Sequence, residues 1–151
     1  MKIALAADHA GFALKQLLTE HLQKNGCDLV DLGTTDTNPV DYPDFAAAAA
    51  RMINNGKADR AIVVCGSGIG ASIVANKIKG VRAGLCHDTY SAAQGVQHDD
   101  MNVLALGARI VGPALAQELI IAFLSANLDT HPRFERRLGK LHEIENESRL
   151  S

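Results

Sequence analysis

The chain has 151 residues, of which 47% are hydrophobic and 21% charged, and this predicts one globular domain over residues 1–151. Its formal net charge of −2 offers no basic field for nucleic acid or an anionic membrane surface. The short apolar start "MKIALAAD" lacks a secretory h-region, and polar residues interrupt every later apolar segment. We therefore expect a cytoplasmic protein with no nucleic-acid or membrane partner.

Short apolar runs alternate with longer helical patterns along the chain. Strands are predicted at 2–7, 28–32, 61–65, 82–86 and 103–107, and helices near 11–25, 44–55, 71–78, 89–96, 113–126 and 132–147. Gly26 and Gly56 stand where two helices should end in left-handed caps. This alternation predicts an α/β fold, a three-layer αβα sandwich with a five-stranded parallel Rossmann-like sheet in the order 2-1-3-4-5 and a C-terminal helix.

Two glycine-bearing loops are expected to share one crevice of this fold. In the order above, strands 1 and 3 are neighbours whose helices leave toward opposite faces, and ligands bind beyond their carboxyl ends. The segment "DHAG" (8–11) follows strand 1, and "CGSGIG" (65–70) follows strand 3. The irregular segment 33–44 is a further candidate, because a loop that long in a compact domain is often part of a site.

The glycines of "CGSGIGAS" (65–72) admit more than one interpretation. They could bring backbone N–H groups close to a negatively charged ligand, or they could serve only a tight turn from strand to helix. A phosphatase loop of the cysteine-x5-arginine type would need arginine in place of Ala71, and a Walker loop would need a lysine followed by serine or threonine. The segment "GSGIGA" approximates a dinucleotide fingerprint, with Asp88 about twenty residues further on, so a nucleotide-binding domain stays open.

The three cysteines differ in their sequence settings. Cys27, Cys65 and Cys86 have no metal-ligand spacing, so we expect free thiols. Cys65 precedes glycine N–H groups and a helix start, which favour a thiolate able to act as base or nucleophile. The alternative for Cys65 is a small buried hydrophobic residue at the end of a strand. Cys27 and Cys86 lack that setting and are expected to be structural.

Polar residues in the second half of the chain leave site and surface roles open. His98 with the aspartates after it could form an acid–base pair or a solvated loop. Arg109 is expected just beyond the carboxyl end of strand 5, on the ligand side. Arg133 and Arg137 share one helix face, either to bind an anion or as a charged outer face beside Glu135.

Seven segments together resemble ribose-5-phosphate isomerase type B, a family with allose-6-phosphate and galactose-6-phosphate isomerase relatives. They are "DHAG" (8–11), "DYP" (41–43), "CGSGIGxSIxANK" (65–77), "GxRAxxC" (80–86), "YSA" (90–92), "QHxDxNVLALGxR" (97–109) and the arginines at 133 and 137. The resemblance covers nearly the whole chain. It implies a metal-free, cofactor-independent aldose–ketose isomerase of the pentose phosphate pathway, acting on ribose 5-phosphate or alternatively on a six-carbon sugar phosphate. It also implies a homodimer, or a dimer of dimers, with sites at the subunit interface.

The resemblance further implies roles for individual residues. The catalytic residues would be Cys65, which removes the proton between the carbonyl and hydroxyl carbons, His98, which opens the furanose ring, and Ser67, which holds the enediolate with the loop amides. The substrate-binding residues would be Asp8, His9, Tyr42, Gly66, Ser67, Gly68, Ile69, Gly70 and Asp99. The phosphate-binding residues would be His9, Arg109, Arg133 and Arg137.

Two positions depart from patterns found within that family. Ala71 stands where one branch has a glutamate base, so Cys65 is the base that this loop offers. Asp99 stands where many relatives have asparagine, and a carboxylate only accepts hydrogen bonds where an amide also donates them. We therefore expect the departure at Asp99 to affect which sugar is used, but not the type of reaction.

Overall fold

Five parallel strands form the centre of the fold, with helices on both faces. The structure, a computed structural model, describes residues 1–147, and residues 148–151 of the predicted domain lie outside the described residues. The strands are β1 (Lys2–Ala7), β2 (Asp28–Asp31), β3 (Arg60–Cys65), β4 (Ala83–Leu85) and β5 (Val103–Gly107). The helices are α1 (Phe12–Lys24), α2 (Tyr42–Asn54), α3 (Ile69–Ala75), α4 (Thr89–Asp99), α5 (Pro113–Ser125) and α6 (Pro132–Glu147). These elements confirm the predicted α/β class and the C-terminal helix.

The order of the strands differs from the expected 2-1-3-4-5 in the last two positions. The observed order is β2-β1-β3-β5-β4, with all neighbours parallel. All five residues of β5 are buried, whereas β4 has three residues that are only half-buried. A fully buried strand belongs inside a parallel sheet, and a short strand suits its edge. As a result β5 lies beside β3, with Cys65 opposite Gly107.

The two faces of the sheet carry side chains of different size. Toward α1, α4 and α5 the three central strands present mainly leucine and isoleucine, as at Leu5, Ile62 and Leu104. Toward α2 and α3 they present mainly alanine and valine. Helix α2 meets this second face with three buried alanines at helical spacing, Ala46, Ala49 and Ala50. Small side chains on both surfaces let α2 approach the sheet closely.

The helix ends follow the sequence signals. Gly26 and Gly56 have φ values of 72° and 64°, the left-handed conformation that glycine adopts without a steric penalty. Their amides donate to helix carbonyls at Gln23 and Ile53, each at 3.0 Å, so both predicted caps are confirmed. Within residues 1–147, no helix has both the length and the apolar character needed to cross a bilayer.

Arg60 holds the carboxyl end of α5. Its guanidinium donates to the carbonyl oxygens of Phe123 and Ala126, the latter at 2.6 Å. We expect Arg60→Met to lower the free energy of unfolding by about 1–2 kcal/mol, because two helix-end carbonyls lose a charged donor. Urea unfolding measures the effect against Arg51→Met, which removes an exposed arginine of α2. Equal losses in the two variants would contradict a capping role for Arg60.

Candidate active site

The loops after β1 and β3 lie side by side at the carboxyl edge of the sheet, as predicted. The amide of Asp8 donates to the carbonyl oxygen of Val64 at 3.3 Å. The turn is closed within "DHAG", where the Gly11 amide donates to Oδ1 of the buried Asp8 at 3.0 Å. A Cβ on Gly11 would lie 2.5 Å from the Val64 oxygen, so glycine allows this turn to rest directly on β3.

The turn after β5 joins the same edge and carries Arg109. The Ala108 amide donates to the Cys65 carbonyl at 2.8 Å, and the Arg109 amide donates to the Gly66 carbonyl at 3.0 Å. The guanidinium of Arg109 passes 3.5 Å from the position that a Cβ on Gly66 would occupy. Arg109 therefore lies on the ligand side, as expected. It reaches the glycine loop because β5, and not β4, is the neighbour of β3.

A cleft of about 390 Å³ opens between these loops. A cavity of this size suits a small polar molecule. It is lined by Asp8, His9, Ala10, Tyr42, Cys65, Gly66, Ser67, Gly70, Arg109 and Ile110. The cleft thus brings together seven of the residues for which the family resemblance implies substrate or phosphate binding, together with the expected base.

Cys65 is a buried thiol of this cleft, with 6% of its surface exposed. Its Sγ accepts a hydrogen bond from the Gly68 amide at 3.1 Å. Gly68 has a φ of 81°, and a Cβ there would lie 2.5 Å from Cδ1 of Leu85, so only glycine can direct this amide at the sulfur. An amide donor is a favourable partner for a sulfur that carries negative charge.

The other two cysteines have different surroundings. Cys86 is buried in the core on the opposite face of the sheet from Cys65. Burial, with a smaller contribution from the charge of Asp88, raises the pKa of the Cys86 thiol to about 11. Cys27 is half-buried against the same core. Both fit the structural role expected from the sequence.

The loop beyond Cys65 presents a hydroxyl and amide groups. Oγ of Ser67 accepts from the Ile69 amide at 3.3 Å. The amides of Gly70 and Ala71 belong to the first turn of α3, where no carbonyl of the same helix can accept from them. A Cβ on Gly70 would lie 2.7 Å from ring atoms of Tyr42, so glycine lets this aromatic wall close on the loop. The Ile69 side chain is 54% exposed, so Ile69 takes part in the loop through its backbone and not through its side chain.

His9 is oriented by the long segment 33–44. The Val40 amide donates to Nδ1 of His9 at 3.1 Å. A nitrogen that accepts a hydrogen bond carries no proton, so the neutral ring bears its proton on Nε2. This segment also leads into Tyr42 at the start of α2, which agrees with its expected part in the site.

His98 and Arg133 meet at a second place, on the ring of Phe134. The imidazole of His98 stacks on Phe134 with 3.9 Å between ring centroids and 17° between planes. Cζ of Arg133 lies 4.5 Å from the centroid of the same ring. The two groups therefore share Phe134 as a common contact. Phe134 is buried, with 2% of its surface exposed, and nothing in the sequence links it to His98.

The cluster of His98, Arg133 and Phe134 lies far from the cleft of the same chain. His98 is near the end of α4, which returns to the amino end of β5, whereas Cys65 pairs with Gly107 at the carboxyl end. The intervening strand is roughly 15 Å long. Arg137 is exposed one turn beyond Arg133. Within one chain, the structure therefore does not bring the expected ring-opening histidine and the helix arginines to the expected base.

Asp99 and Asp88 also differ from their expected positions. Asp99 lines a separate cavity of about 560 Å³ beside the edge strand, with Arg82 among its neighbours. Although larger, this cavity holds none of the other predicted site residues. The carboxylate of Asp88 caps α4 by accepting from the Ser91 amide at 2.7 Å, and these Ser91 hydrogen bonds hold its pKa below the ordinary value. This cap explains Asp88 without a nucleotide.

Known proteins match this chain over most of its length. The model of the family described as "Ribose/Galactose Isomerase" matches residues 3–141. The chain belongs to the ribose/galactose isomerase family. This confirms the resemblance carried by the seven segments. Because the chain is a member of this family, it is an isomerase. The nucleotide-binding alternative is therefore set aside.

Individual members of the ribose/galactose isomerase family are similar in sequence and fold. Ribose-5-phosphate isomerase B of Escherichia coli (strain K12) is 41% identical over 144 residues, covering 95% of this chain and 96% of that protein. D-erythrulose-4-phosphate isomerase of Pectobacterium atrosepticum is 46% identical over 131 residues, covering 85% of this chain and 86% of that protein. The solved structure of Clostridium thermocellum ribose-5-phosphate isomerase B has a TM-score of 0.95 at 42% identity, covering 98% of this chain and 99% of that one.

Proposed function

We propose that this chain interconverts D-ribose 5-phosphate and D-ribulose 5-phosphate through a cis-enediolate, in the cytoplasmic pentose phosphate pathway and without a cofactor. The observation that carries the proposal is the buried Cys65 thiol in a small cleft, with glycine-loop amides and an arginine around it. Relatives named ribose-5-phosphate isomerase B that align over nearly the whole chain support it.

The proposed chemistry is a proton transfer between adjacent carbons. The Cys65 thiolate removes the proton from C2 of the open-chain aldose, and the electron pair forms the C1–C2 double bond while the C1 oxygen becomes negative. The same sulfur then returns the proton to C1, and the C2 oxygen becomes the ketose carbonyl as its proton passes to O1. Donors at Ser67, Gly70 and Ala71 stabilise the enediolate, and preorganised donors of this kind contribute several kcal/mol.

The phosphate is proposed to bind through Arg109 and His9. The Arg109 guanidinium lies beside the glycine loop and offers paired donors to phosphate oxygens. His9 bears its proton on Nε2, because Nδ1 accepts from Val40, so this nitrogen is available as a further donor. Binding energy at the phosphate end would orient the reacting carbons beside Cys65.

A second copy of the chain is proposed to complete each site. His98, Arg133 and Arg137 lie at the other end of the sheet from the cleft, so a homodimer would bring one copy's histidine and arginines to the cleft of its partner. Ile69 and Ile73, one turn apart on α3, are 54% and 55% exposed. They offer an apolar surface next to the cleft for the partner to cover.

The substrate is tested by a coupled assay over ribose 5-phosphate, allose 6-phosphate, galactose 6-phosphate and D-erythrulose 4-phosphate. We expect kcat/KM to be highest for ribose 5-phosphate, by about tenfold or more over the six-carbon compounds, because an extra carbon changes the spacing between a phosphate bound at Arg109 and the carbons beside Cys65. A higher kcat/KM for a six-carbon sugar phosphate would overturn the proposed substrate while leaving an isomerase.

A four-carbon substrate is the second candidate, since the D-erythrulose-4-phosphate isomerase of Pectobacterium is 46% identical. A four-carbon aldose 4-phosphate has no free hydroxyl with which to close a furanose ring, so it needs no ring opening.

Replacement of His98 tests the ring-opening step. We expect His98→Ala to lower kcat on ribose 5-phosphate by about 10²-fold and to change kcat on erythrose 4-phosphate only slightly. His21→Ala, at the far end of α1, serves as control. Equal losses on both substrates would contradict a ring-opening role for His98.

A further inference from the structure

Two contacts fix the imidazole of His98. Gln94 stands one turn earlier on α4, and its Nε2 lies 2.7 Å from Nδ1 of His98. The ring of Phe134, which is 2% exposed, stacks on the imidazole from α6. The stack fixes the plane of the imidazole, and the hydrogen bond fixes its rotation within that plane. The ring is therefore held from two different helices.

These contacts leave one ring nitrogen available. Nδ1 is engaged by Gln94, whereas Nε2 has no hydrogen-bond partner anywhere in residues 1–147. His131 and Arg133 contact the ring of Phe134, on which His98 stacks. The Asp129 amide donates to the carbonyl of Gln97, and Asp99 follows His98 in the sequence.

We propose that Gln94 is a positioning residue that holds Nδ1 of His98 in both protonation states, so that Nε2 alone exchanges a proton with the sugar. This rests on the proposed ring-opening role of His98. In that step Nε2 of the imidazolium gives its proton to the ring oxygen as the bond from that oxygen to C1 breaks. The C1 hydroxyl releases its proton to water as the carbonyl forms.

A carboxamide suits this task because it carries a donor and an acceptor on one rotatable group. Its NH₂ donates to the unprotonated Nδ1 of the neutral ring. After the ring is protonated, rotation of the amide lets Oε1 accept from Nδ1–H. A carboxylate at the same position only accepts, and it would therefore place the proton of the neutral ring on Nδ1.

Nitrogen NMR of the assembled, ¹⁵N-histidine-labelled protein tests the tautomer without reference to activity. In the neutral ring of the wild type we expect His98 to carry its proton on Nε2, with the shifts of an unprotonated Nδ1. In Gln94→Glu we expect the proton on Nδ1 and the two ¹⁵N shifts exchanged. A wild-type proton on Nδ1, or the same pattern in both proteins, would overturn the proposal.

Kinetics test whether the positioning matters for ring opening. We expect Gln94→Glu and Gln94→Met to lower kcat on ribose 5-phosphate by about tenfold, with little change on open-chain erythrose 4-phosphate. Gln97→Met, an exposed residue of the same helix, is the matched control and should behave as wild type. Unchanged turnover of ribose 5-phosphate in both Gln94 variants would overturn the proposal. If the wild type does not isomerise ribose 5-phosphate, the proposed function fails, whereas the NMR result still reports the tautomer.

Discussion

Cys65→Ala should lower kcat for ribose 5-phosphate by about 10³-fold or more, with a much smaller change in KM. The variant removes the proposed base, and a positioned acid–base group contributes about 10²–10⁴-fold to such reactions. It leaves Arg109, His9 and the backbone of the loop in place, so binding should persist. Steady-state kinetics with ribose 5-phosphate and with ribulose 5-phosphate measure the loss of turnover. Thermal unfolding checks that the variant is folded.

Cys86→Ala is the matched control for the loss of a buried thiol. Cys86 lies in the core on the other face of the sheet, and its raised pKa of about 11 keeps it protonated near neutral pH. We expect this variant to keep its turnover while losing some stability from the smaller side chain. If Cys65→Ala retained more than roughly a tenth of wild-type turnover, Cys65 would not be the base and the loop would only bind substrate.

Mixed dimers of Cys65→Ala and His98→Ala chains should recover activity on ribose 5-phosphate that neither variant has alone. In such a dimer, one site contains both defects and the other contains neither. Random reassociation of equal amounts gives half mixed dimers, each with one intact site, so about a quarter of wild-type activity should return. That quarter applies to the unfractionated mixture, whereas differently tagged chains purified through both tags give the mixed dimer alone, for which about half of wild-type activity is expected.

The control pair is Cys65→Ala with Ser67→Ala, because both residues line the same cleft. Every site of that mixed dimer carries one defect, so no recovery is expected beyond the activity that Ser67→Ala has alone. Absence of recovery in the Cys65 and His98 pair as well would contradict a site shared between two copies.

The cleft could be predicted from the sequence because its parts follow from local patterns. Buried strands end at Ala7, Cys65 and Gly107, and in a parallel sheet the carboxyl ends of neighbouring strands meet at one edge. Asp8, Cys65 and Arg109 come directly after or at those ends. The meeting of Asp8 with Cys65 depends on strand direction and on the adjacency of β1 and β3, both of which the alternation of elements indicates. The approach of Arg109 also needs β5 beside β3, which the predicted strand order did not contain.

The positions of β4 and His98 could not be predicted in the same way. An apolar run does not say whether its strand is central or at an edge, and β4 moves outward because only three residues pair and none is fully buried. The setting of His98 depends on Phe134, which is 36 positions later in the sequence and reaches α4 only through tertiary packing. Such contacts leave no periodic signal in the sequence.

The alanine-lined face of the sheet makes the two sides of this protein unequal in their tolerance of substitution. Tyr42, a wall of the cleft, is the first residue of α2, and α2 is held against the sheet by Ala46, Ala49 and Ala50. A larger side chain at Ala4 or Ala6 would displace that helix, and the wall would move with it. Substitutions should therefore accumulate more slowly on this face than on the leucine-rich one, although none of these alanines lines the cleft.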